Sequence, residues 1–178
     1  MVYVALLRGI NVGGKNKVDM KQLKAAFEEA GMSDVRTYIN SGNVIFSSGN
    51  RTRAHLVLPL EKAITKRFGF TVPVLLRDVK NMRAIGKAIP NDWMNDSATK
   101  CDVMFLWDDV ARPSVLKELQ IKPEIDEVRY ASGALIWRVD KQNVTRSGMM
   151  KLVGTPLYKR MTIRNVNTTR KLLELMDS

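Results

Sequence analysis

The sequence predicts an α+β protein whose chain is written twice, each copy running strand, helix, strand, strand, helix, strand with mainly antiparallel pairing. Three observations carry this. The segment Ser41-Gly42-Asn43-Val44-Ile45-Phe46 returns 91 residues later as Ser132-Gly133-Ala134-Leu135-Ile136-Trp137, each time behind a strand-like stretch containing Val-Arg (Val35-Arg36 and Val128-Arg129). Downstream, Leu76-Arg77-Asp78-Val79 is echoed 87 residues later by Ile163-Arg164-Asn165-Val166, and each opens a helical pattern. Upstream, the apolar run Val2 to Leu7 has a counterpart in Val103 to Trp107. Several matches in one order across both halves point to a duplication.

In the first copy, Val2 to Leu7 is a continuous apolar run suited to an interior strand. Asp19 then caps a helix, with Gln22 as its capping-box partner, Met20, Leu23, Phe27 and Ala30 on one face, and Gly31 as the stop. A hairpin follows, Arg36 to Asn40 and Asn43 to Ser47, turning through Ser41-Gly42, where glycine supplies the positive φ of a tight turn. A second helix runs toward Phe68, and Pro59 must start it or kink it. Val72 to Leu76 closes the unit as a strand, and Asp78 caps a linking helix that ends before Pro90. The second copy repeats the plan with Val103 to Trp107, a helix after Pro113, a hairpin over Glu127 to Val139, helical material from Val144 to Tyr158, and a strand Met161 to Arg164. A last helix from Thr168 to Met176 presents Leu172, Leu173 and Met176 to the core. This is the pattern of two tandem ferredoxin-like βαββαβ units. The first covers residues 1–90 with its linking helix, the second residues 100–178 with the C-terminal helix, and a polar seam from Pro90 to Thr99 joins them.

Composition narrows the function. The chain has 178 residues, 29 Lys+Arg against 18 Asp+Glu, and a formal net charge of +11, enough length for a core and enough charge to require a reason. No apolar run is long enough to span a membrane, so a soluble, cytoplasmic protein is expected. Cys101 and His55 are the single cysteine and histidine, which excludes an internal disulfide and a Cys/His zinc cluster. The charge is uneven. Lys141 to Lys171 holds eight basic residues and no acid, and the first eighteen residues add Arg8, Lys15 and Lys17, again without an acid. Ala84 to Tyr130 carries nine acids against six bases.

The sharpest local motif is Gly9-Ile10-Asn11-Val12-Gly13-Gly14-Lys15-Asn16, which follows an apolar strand with the glycine and lysine spacing of a phosphate-binding P-loop. Asn16 stands where a Ser or Thr hydroxyl should hold Mg²⁺, Asp19 places a carboxylate at the helix start, and a hairpin follows where a parallel strand should. An NTPase is therefore not expected. A smaller claim survives: Gly13 and Gly14 turn the backbone so that N–H groups beside Arg8 and Lys15 can form an anion nest. The second candidate is Arg164-Asn165-Val166-Asn167-Thr168, which leads from a strand into a helix N-terminus, with Asn167 or Thr168 as cap and Arg164 as a forked donor. Against it, asparagines most often serve caps and turns. Strand parity places Phe105, Trp107 and Trp137 on one sheet face, where core packing is the expected role, because neither hairpin carries the basic and paired aromatic residues of an RNA-stacking sheet. His55 reads as a surface or helix-start residue and Cys101 as a small buried one.

Leu7-Arg8-Gly9-Ile10-Asn11-Val12-Gly13-Gly14-Lys15-Asn16-Lys17-Val18, Thr37-Tyr38-Ile39-Asn40-Ser41-Gly42-Asn43-Val44, and Met161-Thr162 with Arg164-Asn165, Asn167-Thr168 and Lys171-Leu172 resemble the bacterial domain-of-unknown-function family 1697. The likeness covers nearly the whole chain. It implies an architecture of two fused ferredoxin-like units and a set of signature positions, and it implies no substrate.

The leading expectation is a non-catalytic or weakly catalytic anion binder. Arg8, Asn11, Gly13, Gly14, Lys15, Asn40, Asn43, Lys151, Arg164, Asn165, Asn167 and Thr168 would line a polar, basic surface, with nucleic acid as the first ligand. The alternatives are an enzyme acting on a small phosphorylated or nucleotide-like substrate, with the glycine loop as phosphate grip, and a structural partner protein. No cofactor, metal or membrane is called for, and the sequence assigns no oligomeric state.

Overall fold

The structure is a computed structural model and describes residues 1–49 and 52–178. The chain divides into two compact units, Met1–Met82 with Leu172–Ser178, and Arg83–Lys171. The first contains β1 (Val2–Leu7), α1 (Met20–Glu29), β2 (Ser33–Tyr38), β3 (Asn43–Ser47), α2 (Arg53–Phe68) and β4 (Val74–Asp78). The second contains β5 (Thr99–Leu106), β6 (Asp126–Ala131), β7 (Ala134–Asp140) and β8 (Met161–Asn165). Two helices, α3 (Val79–Ala88) and α4 (Val166–Asp177), each cross the division between the units.

Each unit has one four-stranded sheet, in the order β2-β3-β1-β4 and β6-β7-β5-β8, and every neighbouring pair is antiparallel. The repeat read from sequence reappears as register. Val4 sits opposite Ile45 and Arg77, and Val103 sits opposite Ile136 and Arg164. Arg36 faces Ile45, and Arg129 faces Ile136. The offsets of 91 and 87 residues therefore join structurally equivalent positions.

The first unit builds its core on one sheet face. Tyr3, Ala5 and Leu7 of β1 pack with Leu23 and Phe27 of α1 and Leu56, Leu60 and Ile64 of α2. Phe46 stacks on Tyr3 at 5.7 Å between ring centres and meets the edge of Phe27 at 5.5 Å. Asp19 caps α1 as expected, its Oδ1 accepting the Gln22 N–H at 2.9 Å. Gln22 does not return the bond; its Oε1 accepts from Arg67 instead. Helix α2 continues past Pro59, which neither starts nor ends it. His55 lies exposed in its first turn, bonded to the Thr52 hydroxyl at 2.9 Å.

The second unit departs from the expected plan. The segment after Pro113 is a 3-10 turn, Pro113–Glu118, and the stretch from Val144 to Tyr158 is broken into 3-10 turns at Lys141–Arg146, Gly148–Lys151 and Leu157–Arg160. No α-helix forms because Ser147-Gly148, Gly154 and Pro156 punctuate the segment before a full helical run can propagate. A buried carboxylate organises it instead. Asp126, only 4% exposed, accepts the N–H groups of Lys122 and Gly148 on Oδ2, each at 2.9 Å. On Oδ1 it accepts the Trp137 indole N–H at 3.1 Å and the Ser147 hydroxyl. Burial by itself pushes this carboxyl up, but these donors outweigh it and hold the acid below the usual range.

Two smaller expectations are corrected. Trp137 lies opposite Asp102, so it faces the core with Met104 and Leu106, while Phe105 points to the other face. Parity counted within each strand had missed the cross-strand register. Helix α4 starts at Val166 rather than Thr168, and its cap is Asn165, whose Oδ1 accepts the Thr168 N–H at 2.8 Å. Leu172 and Met176 are buried as expected, whereas Leu173 is only half-buried.

Candidate functional site

In the first unit, the end of β1 is fixed on both sides. The Leu7 N–H donates to Gly42 O at 2.9 Å and the Arg8 N–H to Pro73 O at 3.1 Å. The chain then makes a small hairpin of its own. Val12 and Lys15 bridge, with Lys15 N–H donating to Val12 O at 3.1 Å. Gly13 at φ 58° and Gly14 at φ 75° turn it, the left-handed pair that glycine adopts without strain. Asn11 N–H donates to Asn16 O at 3.1 Å, and the Asn16 amide donates to Gly9 O at 3.0 Å.

Asn11 is the staple of this loop. Its Oδ1 accepts the Val18 N–H at 2.8 Å, and its Nδ2 donates to Val18 O at 3.1 Å and to Asn40 O at 2.8 Å. The last bond ties the glycine hairpin to the β2–β3 turn. Gly42 lets the two approach: a Cβ there would lie 2.6 Å from Ile10 Cδ1 and 2.8 Å from Leu7 Cβ. Asn43, fully buried, donates from Nδ2 to Tyr38 O and Ser41 Oγ, both at 2.9 Å, and so shapes the same turn.

The first-unit candidates therefore separate by role. Asn11 and Asn43 bond to backbone, Arg8 is half-buried, and Gly13, Gly14, Lys15 and Asn40 face solvent with Lys17. The helix behind the loop starts at Met20 under the Asp19 carboxylate, and no strand parallel to β1 lies beside it. A nucleotide-binding P-loop has neither feature.

In the second unit the candidates at the β8–α4 junction are engaged locally. Arg164 is 6% exposed, and its Nη1 donates to Ile163 O at 2.7 Å and to Thr162 Oγ1 at 3.0 Å. Burial lowers its pKa to about 10. Asn165 caps α4, and Asn167 clasps the seam, donating to Asn95 O at 2.7 Å and accepting the Asn95 N–H at 3.3 Å. Thr168 is buried, while Lys151 is fully on the surface. The first- and second-unit groups thus belong to different units.

Some cations are paired with acids and others are not. Arg67, Arg112, Arg138 and Arg160 pair with Glu29, Glu118, Glu127 and Asp109 respectively. Arg160 also sits 5.6 Å over the Trp107 ring, and its fork holds the Asp109 carboxyl below its ordinary value. Among the described residues, Lys15, Lys17, Lys151 and Lys159 form no ion pair, and all four are exposed. Their charge is presented to solvent uncancelled.

Sequence reasoning passed over three features. Val12 is 68% exposed and Ile39 is 48% exposed at φ 49°, both on the tied loops. The Asp126 network has no local sequence signal, since its donors come from Lys122, Trp137 and Ser147-Gly148. An open cavity of about 460 Å³ lies among Lys24, Glu28, Asp34, Arg36 and Ser178, where Arg36 donates to Leu175 O at 2.5 Å and Ser178 Oγ at 2.8 Å. Cys101 is buried, and burial first, then Asp102, pushes its thiol up to about 12. That leaves almost no thiolate at neutral pH. Among the described residues no cluster of His, Cys, Asp or Glu could hold a metal, and no helix is long and apolar enough to cross a membrane.

The chain is similar over 98% of its length to the solved structure of conserved bacterial protein SP0830 from Streptococcus pneumoniae, with 98% of that chain covered, 29% identity and a TM-score of 0.83. No curated protein matches it. The family model described as "Protein of unknown function (DUF1697)" matches residues 1–137, more than half of the chain, and the protein belongs to that family.

Proposed function

We propose that this protein is a nucleic-acid-binding protein that holds its ligand through phosphate contacts rather than through a catalytic pocket. We read its two sheets as ferredoxin-like platforms and its working compartment as the cytoplasm. The observation that carries the reading is the state of particular cations: Arg67, Arg112, Arg138 and Arg160 are each paired with an acid, while Lys15, Lys17, Lys151 and Lys159 stand exposed with no acid partner among the described residues. Exposed lysines of this kind attract a polyanion and release its condensed counterions. Of the candidate residues, Lys15, Gly13, Gly14, Asn40 and Lys151 offer surface contacts. Asn11, Asn43, Asn165 and Asn167 act by holding the loops in shape, and Arg164 by its place in β8.

Fluorescence anisotropy with labelled duplex DNA across a salt series tests the reading. Affinity should fall linearly on a log–log plot against salt, by about one unit of slope for each phosphate neutralised. The double variant Lys15→Glu/Lys17→Glu should weaken binding about tenfold and reduce the slope by about two. Affinity that stays flat from low to high salt ends the proposal. Thermal stabilisation by one nucleotide or sugar phosphate, with no response to long DNA or RNA, would move the function to an enzyme acting on a small phosphorylated substrate.

A further inference from the structure

Ile39 is doubly out of place. It is β-branched yet sits at φ 49°, in the left-handed region that such side chains avoid, and it is 48% exposed. Among the described residues the other non-glycine positions with positive φ are Asn11, Asn16, Asp34 and Ser132, none of them β-branched. Strain of this kind persists where the surrounding structure over-determines it, and it clusters at functional positions. Here the fixing contacts are the Asn11–Asn40 bond at 2.8 Å and the close seat of Gly42 on Ile10. The equivalent turn of the second unit is the two-residue Ser132-Gly133, with Ala131 opposite Ala134. Its first residue, Ser132, has nearly the same φ, 48°, but carries no apolar side chain. The first unit thus carries a stiff, exposed aliphatic point, and the hairpin that Asn11 ties to it bears Val12, 68% exposed, with Lys15 and Lys17.

We propose that this tip is a wedge for duplex DNA: Ile39 enters a base step from the minor groove and bends the helix, while Lys15 and Lys17 contact flanking phosphates. This rests on the nucleic-acid reading above and names the form of ligand and the contacting element. Aliphatic wedges ringed by cations unstack and kink deformable steps in this way. A single strand suits the tip less well, because sequence-tolerant binding of single strands needs aromatic stacking faces, and the aromatic next to Ile39, Tyr38, is half-buried. An anionic bilayer also suits it less well. Asn40, next to Ile39, is exposed and its carboxamide makes no hydrogen bond among the described residues. That group would be costly in lipid but can meet base edges in the groove.

The test uses the full chain and an end-labelled duplex of about 30 base pairs with a central TA step, read by energy transfer between the ends. The wild type should bind and shorten the end-to-end distance, corresponding to a bend within the range of about 20–90° that wedges produce. Ile39→Gly removes the wedge and relieves the backbone, so it should fold with an equal or higher melting temperature. Its affinity should stay within about threefold with an unchanged salt slope, and its bending signal should vanish. Bending by Ile39→Gly equal to wild type, or wild-type binding without bending, would overturn the wedge and leave the nucleic-acid reading intact. Absence of any salt-sensitive duplex binding would overturn both. Binding to phosphatidylserine vesicles that depends on Ile39, without DNA bending, would overturn the wedge in favour of a lipid surface.

Discussion

The first unit leaves β1 through a glycine-rich hairpin whose charges are Arg8, Lys15 and Lys17, and the second leaves β5 through Trp107, Asp108 and Asp109. The backbone positions are the same. Leu7 and Leu106 each donate to a hairpin glycine, Gly42 and Gly133, at 2.9 Å, and Arg8 and Trp107 donate to Pro73 O and Arg160 O at 3.1 and 3.0 Å. Identical scaffolding therefore ends in opposite local charge. Register is pinned by the inward side chains and the ladder hydrogen bonds, and neither constrains what the exposed loop carries. The same contrast holds for the layer over each sheet. The first unit covers its sheet with α1 and α2, while the second uses 3-10 turns gathered around Asp126. One copy is stabilised chiefly by apolar burial, at about 1.5–3 kcal/mol for each fully buried large side chain. The other depends in addition on one carboxylate that satisfies four donors.

The largest expected effect probes that difference. A Cβ at Gly148 would lie 1.7 Å from Gln120 O and 3.2 Å from Asp126 Oδ2, a backbone clash that side-chain motion cannot relieve. Gly148→Ala should cost on the order of 4 kcal/mol, seen as a large drop in urea midpoint. Gly42→Ala in the first unit should cost less, about 3 kcal/mol, because the flexible end of Ile10 can yield, although the Leu7 Cβ at 2.8 Å and the φ of 80° cannot. Equal losses would break the comparison.

Asp126→Asn comes next, at about 3 kcal/mol, because an amide places a donor where the carboxylate accepts. The folded acid titrates below its unfolded value. Its contribution is therefore present above the unfolded pKa and is lost as pH falls through the folded one. Wild-type stability should decline with acid below the ordinary carboxylate range, and Asp126→Asn should lack that part of the decline in a pH series of denaturation midpoints.

Asn11→Gly sharpens the picture from the other side. It retains the positive φ of Asn11 but deletes the bonds to Val18 and Asn40. A loss of about 1–2 kcal/mol is expected, with faster amide exchange confined to residues 9–18 and 39–42. Uniformly faster exchange across both units would show that the loop is not an independent element. The smallest effect belongs to Arg160→Ala. The exposed Arg160–Asp109 pair, with Trp107 beneath it, should be worth less than about 1 kcal/mol and should fade with salt. A larger loss would mean that the acidic turn of the second unit is as firmly built as the glycine hairpin of the first.

The sequence by itself determined the duplication, the eight strands and the helices of the first copy. Apolar alternation, an aspartate before a helix and a glycine at a turn are local signals, and Asp19, Asp78 and Gly42 act as they read. It also showed where cations outnumber acids. Only the tertiary structure decided which of those cations are cancelled, since Arg160 meets Asp109 across 51 residues. It alone replaced the second copy's helices with turns around Asp126, and it held Ile39 exposed in a left-handed conformation. Each of these depends on groups distant along the chain meeting in a desolvated or sterically fixed place, and the energy of such a meeting is a property of the assembled neighbours rather than of any window of residues.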